Sequence, residues 1–199
     1  MNGIPPNSVR ITTANMVTIA RLVMVPCFAL AVIYYAQGVK RNEPEEWQRW
    51  LAVALFALAS LSDAVDGFIA RRFNQKTLLG AILDPVADKA LLLTALLILS
   101  MNFGNAFAQL PLWFPIVILS RDIFIVLGVA LLWMMNRQIE IRPNFSGKAA
   151  TFLQMLTLGL VLLKVPNLYW QVPLWAAGFL TIFSGSLYVI KGLHRFANW

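Results

Sequence analysis

Asp63 and Asp66 stand three apart in SDAVDGFIAR (residues 62–71), and Asp84 and Asp88 stand four apart in LDPVADK (residues 83–89). Each pair interrupts a run built for lipid, where an acid at the bilayer centre costs ~2.5–3.5 kcal/mol on translocon scales. The chain has nine acids in all, so placing four of them here needs a compensating partner. Spacings of i, i+3 and i, i+4 put each pair on one helix face. The turn between the two runs is short, so the helices are expected to run antiparallel. At ~1.5 Å rise per residue, Asp66 and Asp84 each lie roughly 9 Å from the turn, and Asp63 and Asp88 roughly 14–15 Å. The acids then meet as two level pairs. Four carboxylates so close need counter-charge, and hard oxygen donors suit Mg2+ or Mn2+, with two ions sharing bridging carboxylates. Two other chemistries use the same residues: protonated or Arg-paired acids that tie helices together, and a relay for protons or cations.

The neighbours of the acids favour phosphate chemistry. Gly67 and Gly80 let a ligand approach the backbone closely. Arg71 can reach a phosphate at the membrane surface, and Thr77 offers a hydroxyl at the entry to the next helix. Metals, an arginine and small residues describe a pyrophosphate site. Its place in the membrane makes the phosphate a lipid's.

The elements that must hold these residues follow from composition. Of 199 residues, 59% are hydrophobic and 13% charged, against about 25% charged in soluble domains, and mean hydropathy is +0.70. A separate soluble domain is excluded. A membrane span takes roughly 20 apolar residues, and six runs are candidates: 15–36, 50–71, 78–101, 111–136, a short fifth at 149–165, and 172–190. The polar N-terminal MNGIPPNSVRITTA lacks the features of a cleaved leader, so the first run is expected to remain as a span. The net charge of +7 is not a nucleic-acid signature, because the basic residues cluster at the ends of apolar runs, as in cytoplasmic loops. Six spans put both termini on one side. That side carries Arg10, Arg71, Arg72, Lys76, Arg137, Arg142, Lys148, Lys191 and Arg195, nine against the four of Lys40, Arg41, Arg49 and Lys164. Both termini and the acids are therefore expected on the cytoplasmic side. The single cysteine, Cys27, excludes a disulfide within the chain and is read as packing. Trp47, Trp50, Trp170, Trp175 and Trp199 are read as interface anchors.

From Asp63 to Asp88 the chain reads D-x-x-D-G-x-x-A-R, eight residues, then G-x-x-x-D-x-x-x-D. This resembles the signature of the CDP-alcohol phosphatidyltransferases at every fixed position: Asp63, Asp66, Gly67, Ala70, Arg71, Gly80, Asp84 and Asp88. The resemblance implies an all-α integral membrane protein, with six transmembrane helices around a polar cavity open to the cytoplasmic side. Residues 1–199 would form a single membrane domain in a bacterial-type cytoplasmic (inner) membrane. It implies transfer of a phosphatidyl group from CDP-diacylglycerol to an alcohol, with release of CMP. Asp63, Asp66 and Asp84 would bind one Mg2+ or Mn2+, and Asp63, Asp84 and Asp88 a second. Asp88 would also take the proton of the attacking hydroxyl. Gly67, Ala70, Arg71, Thr77 and Gly80 would hold CDP-diacylglycerol, joined by Asn15 and Thr18 from the first span. Homodimers are common in the family; nucleic acid is not an expected partner.

The acceptor alcohol is addressed by three cations. Asn15, Thr18 and Arg21 share a face at i, i+3, i+6 in NMVTIARLVMVP, which resembles the start of the phosphatidylglycerophosphate branch and of the related cardiolipin synthases. Arg21 is a counter-charge, a phosphate ligand or a helix-packing partner of an acid. Arg121, in LSRDIF, sits mid-span and needs an anion, which Asp122 or a bound phosphate supplies. Lys148 opens the fifth span in GK-x-x-T-x-x-Q (147–154), which also resembles that branch. Arg121 lies deeper than Lys148, so a kink is needed to bring them together. The preferred reading gives Arg21, Arg121 and Lys148 the phosphate of glycerol 3-phosphate, making phosphatidylglycerophosphate and CMP. Rival acceptors are phosphatidylglycerol, as in cardiolipin synthase, and inositol phosphate; the rival class is a cation or proton transporter.

Overall fold

Each of the six apolar runs forms one helix. The computed structural model describes residues 13–73, 78–134 and 145–197, with side chains described outside 13–15, 17, 63–73, 78–85, 88, 129–134, 145 and 188–197. Among the described residues there are six helices and no strand: α1 (Thr13–Lys40), α2 (Glu46–Phe73), α3 (Leu78–Ser100), α4 (Trp113–Met134), α5 (Phe145–Leu162) and α6 (Asn167–Ala197). Several helices outrun their apolar windows, because polar flanks continue the backbone hydrogen bonding beyond the oily part. The stretch 166–171 was expected as a connection, yet Asn167 already opens α6. Trp170 is buried at 5% exposure and donates to Asn167 Oδ1 at 3.2 Å, so it packs at the helix start rather than facing an interface. Cys27 is exposed on α1 rather than packed.

Two helix ends are closed by the same device. Glu43 N–H donates to Gly38 O and Asn42 N–H to Val39 O, with Asn42 left-handed at φ 61°. Val165 N–H donates to Leu160 O and Lys164 N–H to Val161 O, with Lys164 at φ 56°. Both are Schellman ends, which satisfy the last carbonyls of a helix. The second explains why the fifth helix stops at Leu162, and Pro166 then blocks its continuation. At the first, Gly38 is required by space: a Cβ there would lie 2.9 Å from Glu43 O.

The chain divides between Ile98 and Leu99 into two compact units. In the first, α1 packs on α2. Small residues (Ala31, Ala36, Ala52, Ala59) bring the helices close, and Phe28 tilts against Phe56 at 5.8 Å. Tyr35 donates to Glu46 Oε1 at 2.9 Å, clamping the hairpin near its turn. In the second unit, α6 packs against both α4 and α5. Its buried Ala177, Thr181 and Ser184 recur at i, i+4, i+7, the spacing of one helix face. Gln154 donates to Thr181 Oγ1 at 2.9 Å, so the glutamine of the 147–154 motif ties α5 to α6. Interhelical polar pairs of this kind hold membrane helices together where lipid offers no hydrophobic drive.

Gly178 makes room for α4. A Cβ there would lie 2.7 Å from the Trp113 ring, which is itself stacked on Trp175 at 4.8 Å. Gly178→Ala is expected to lower stability by about 1–3 kcal/mol, the usual cost of overpacking. Thermal unfolding in detergent measures it.

The outer surface is apolar along the helices: Leu30, Leu58, Ile116, Phe124, Phe152 and Phe179 are all exposed. Exposed apolar area on this scale marks contact with lipid or protein. Among the described residues one helical stretch, Thr18–Lys40, is long and apolar enough by itself to cross a membrane, and Lys89–Ser100 and Ser146–Leu162 are shorter apolar stretches.

Candidate active site

Both acid pairs lie in unbroken helix. α2 runs from Glu46 through Phe73 and α3 from Leu78 through Ser100, so Asp63 with Asp66, and Asp84 with Asp88, keep the one-face spacing their numbers require. Gly67, Ala70 and Arg71 follow on α2, and Gly80 precedes the second pair on α3. The side chains of these residues and of Asn15 lie outside the described side chains; Thr77 lies outside the described residues. The four carboxylate-bearing residues, the hard oxygen donors a divalent ion takes, sit at one-face register positions on two consecutive helices, α2 and α3.

Thr18 and Arg21 are described, and both are buried in α1, at 2% and 0% exposure. Arg21 Nε donates to Ser62 Oγ at 3.1 Å, and Ser62 donates in turn to Ala59 O at 2.9 Å. Ser62 immediately precedes Asp63. The α1–α2 packing thus delivers a buried guanidinium to the chain segment that begins the acid motif. A fully buried cation is tolerated only with hydrogen bonds and counter-charge nearby. Ser62 was not singled out in the sequence, though a serine next to the first acid of the motif was available as a signal.

The second cationic place lies wholly in the second unit. Arg121 on α4 has a side chain 11% exposed, and its Nη1 meets Asp122 Oδ1 at 3.4 Å. That contact is long for a charge-assisted hydrogen bond, which runs about 2.7–2.9 Å. Arg121 Nε is buried with no hydrogen-bond partner among the described residues. The guanidinium reaches the start of α5: Nη2 lies 2.8 Å from where a Cβ of Gly147 would be. The tip of the arginine side chain thus lies at the residue before Lys148. Lys148 itself is exposed. Gly147 is the third residue of α5, within the first turn, where free N–H groups and the helix dipole favour an anion and repel a cation. The part-buried guanidinium thus lies against the first turn of α5 with its Nε unpartnered among the described residues.

The model of the CDP-alcohol phosphatidyltransferase family matches residues 11–183, which include every element described above except the end of α6. The chain belongs to the CDP-alcohol phosphatidyltransferase family. It is similar to a probable phosphatidylglycerophosphate synthase of Mycobacterium tuberculosis (strain ATCC 25618 / H37Rv), 36% identical over 90% of this chain and 81% of that one. It is similar to the CDP-diacylglycerol–glycerol-3-phosphate 3-phosphatidyltransferases of Bacillus subtilis (strain 168) and Escherichia coli (strain K12). The first is 34% identical over 93% of this chain and 94% of that one, the second 30% over 78% of each. A CDP-alcohol phosphatidyltransferase is a transferase of phospholipid biosynthesis, and the matched range takes in the acids on α2 and α3.

Proposed function

We propose that this phosphatidyltransferase moves the phosphatidyl group of CDP-diacylglycerol to glycerol 3-phosphate, giving phosphatidylglycerophosphate and CMP. The observation that carries the acceptor is Arg121, a buried cation with an unmade donor beside the first turn of α5. The activities named for the Bacillus subtilis and Escherichia coli relatives support the same acceptor. Arg21, Arg121 and Lys148 are assigned to the acceptor phosphate. Asn15, Thr18, Gly67, Ala70, Arg71, Thr77 and Gly80 are assigned to CDP-diacylglycerol. The six helices are read as spanning the bilayer around a polar cavity open to the cytoplasm, with both termini on that side and residues 1–199 acting as one catalytic domain. The basic residues at the helix ends support that orientation.

Asp63, Asp66, Asp84 and Asp88 would hold Mg2+ or Mn2+, as two ions. Bound there, the ions would neutralise the diphosphate and stabilise the charge that leaves with CMP. The rest of the reaction belongs to this chain's own groups. Asp88 accepts the proton of the glycerol 3-phosphate hydroxyl. That oxygen forms a bond to the phosphorus bearing the diacylglycerol, and the bond from that phosphorus to the oxygen shared with CMP breaks, the electron pair leaving on CMP. Arg121 and Lys148 fix the far end of the acceptor, so the hydroxyl is held near the phosphorus instead of arriving by free encounter. A site partway into the bilayer keeps two acyl chains in oil while the head group meets water.

The test is CMP release by the purified protein in detergent with CDP-diacylglycerol and Mn2+ or Mg2+. Glycerol 3-phosphate, phosphatidylglycerol, inositol phosphate and serine are offered separately. Release with glycerol 3-phosphate is expected. Release with phosphatidylglycerol or inositol phosphate instead would reassign the acceptor, and none with any alcohol would remove the transferase reading for this chain.

A further inference from the structure

Among the described residues, Ser184 carries the one buried hydroxyl with no hydrogen-bond partner. Ser60, Thr151, Thr157, Thr181 and Ser186 each donate to the carbonyl four residues earlier, at 2.6–3.1 Å. This is the ordinary resting place for a hydroxyl in an apolar helix. Ser184 is 0% exposed, and its Oγ has no hydrogen-bond partner among the described residues. A buried hydroxyl left unmade costs free energy, so its position calls for a partner that is not its own helix.

Arg121 is a charged group that shares its surroundings. A Cβ built on Gly147 would lie 2.8 Å from Arg121 Nη2 and 3.4 Å from Ser184 Oγ. The missing side chain of Gly147 is therefore the space shared by the serine and the guanidinium. On the other flank, a Cβ on Gly185 would lie 3.4 Å from Arg121 Cγ, so two glycines from two helices form a sleeve around the arginine stem and tip. Arg121 Nε is the second buried unmade group of the same cluster.

We propose that Ser184 is a positioning residue for Arg121. Its Oγ accepts a hydrogen bond from the guanidinium when the acceptor phosphate is bound, and Gly147 and Gly185 keep the path clear. This rests on the assignment of Arg121 to the acceptor phosphate. A planar guanidinium presents its donors as a fork in one plane. Fixing one edge on Ser184 turns another edge toward the phosphate and limits the swing of a side chain whose contact to Asp122 is long, at 3.4 Å. The site thereby favours a terminal phosphate, which accepts a forked donor pair, over a neutral alcohol.

Two substitutions test this without dismantling the fold. Ser184→Ala removes a hydroxyl that has no partner among the described residues. Gly147→Ala places a methyl 2.8 Å from the flexible tip of Arg121 and 3.4 Å from Ser184 Oγ, in the space the two share. Both are expected to leave the thermal midpoint near that of the parent. Each should raise KM for glycerol 3-phosphate about tenfold, the worth of one hydrogen bond to a charged group, while KM for CDP-diacylglycerol stays unchanged. Unchanged KM for glycerol 3-phosphate in both, with Arg121→Gln raising it, would overturn the role of Ser184 and leave the Arg121 assignment standing. An unchanged value in Arg121→Gln as well would overturn that assignment. A parallel rise in KM for CDP-diacylglycerol would overturn the proposal too, since it would mark a general disturbance of the site.

Discussion

Asp88→Asn is expected to lower kcat for CMP release by about 10²–10⁴-fold at saturating Mn2+, the usual worth of a general base. Asparagine keeps the size of the side chain and one carbonyl oxygen, but it cannot take a proton. Raising Mn2+ should therefore leave the rate low even where metal is bound. Asp63→Asn, Asp66→Asn and Asp84→Asn are expected to fail differently, by losing metal: each removes one negative charge from a hard-oxygen cluster that depends on charge to hold a divalent ion. Mn2+ titration by calorimetry, run beside the CMP assay, separates the two kinds of loss. Full activity in any of these three variants would break the metal reading. A normal rate in Asp88→Asn would move the base elsewhere.

The second large effect concerns Arg121. Arg121→Gln is expected to raise KM for glycerol 3-phosphate about a hundredfold, in line with the ~2–5 kcal/mol lost when one partner of a buried charged contact is removed. KM for CDP-diacylglycerol should not change. Arg121→Lys should recover only part of the loss, because an ammonium lacks the planar fork. The same substitution carries an opposite expectation for stability. Arg121 Nε has no partner among the described residues, Nη1 reaches Asp122 only at 3.4 Å, and the tip lies against the first turn of α5. Removing a poorly compensated buried cation relieves desolvation and the unfavourable encounter with the helix dipole. Arg121→Gln should therefore unfold at the same temperature as the parent or higher while binding acceptor worse. A clear fall in the unfolding temperature would mean that Arg121 serves packing first, through Asp122.

These expectations differ in how much of them the sequence carries. The acids, Gly67, Ala70, Arg71 and Gly80 are legible as a set because all of them fall on two consecutive helices, and spacing along a helix is set by its own 3.6-residue period. The helices themselves are legible because each follows one long apolar run. Their ends are less so. The stop at Leu162 depends on Lys164 adopting a left-handed conformation that lysine does not advertise. The early start of α6 depends on Trp170 finding Asn167. Ser62 and Ser184 escaped notice because a serine in an apolar run ordinarily bonds its own backbone.

By itself, then, the amino-acid order determined the family, the acid motif and its helical register. The tertiary structure decided which groups meet across helices. Arg21 reaches Ser62 on α2, and Arg121 reaches Gly147 on α5 and lies against Gly185 on α6, beside the unpartnered Ser184. The reason is physical. Contacts within a helix follow from local geometry, whereas contacts between helices depend on how each is rotated and shifted against its neighbours. That is set by the packing of small residues, such as Gly178 under Trp113, and no local period encodes it.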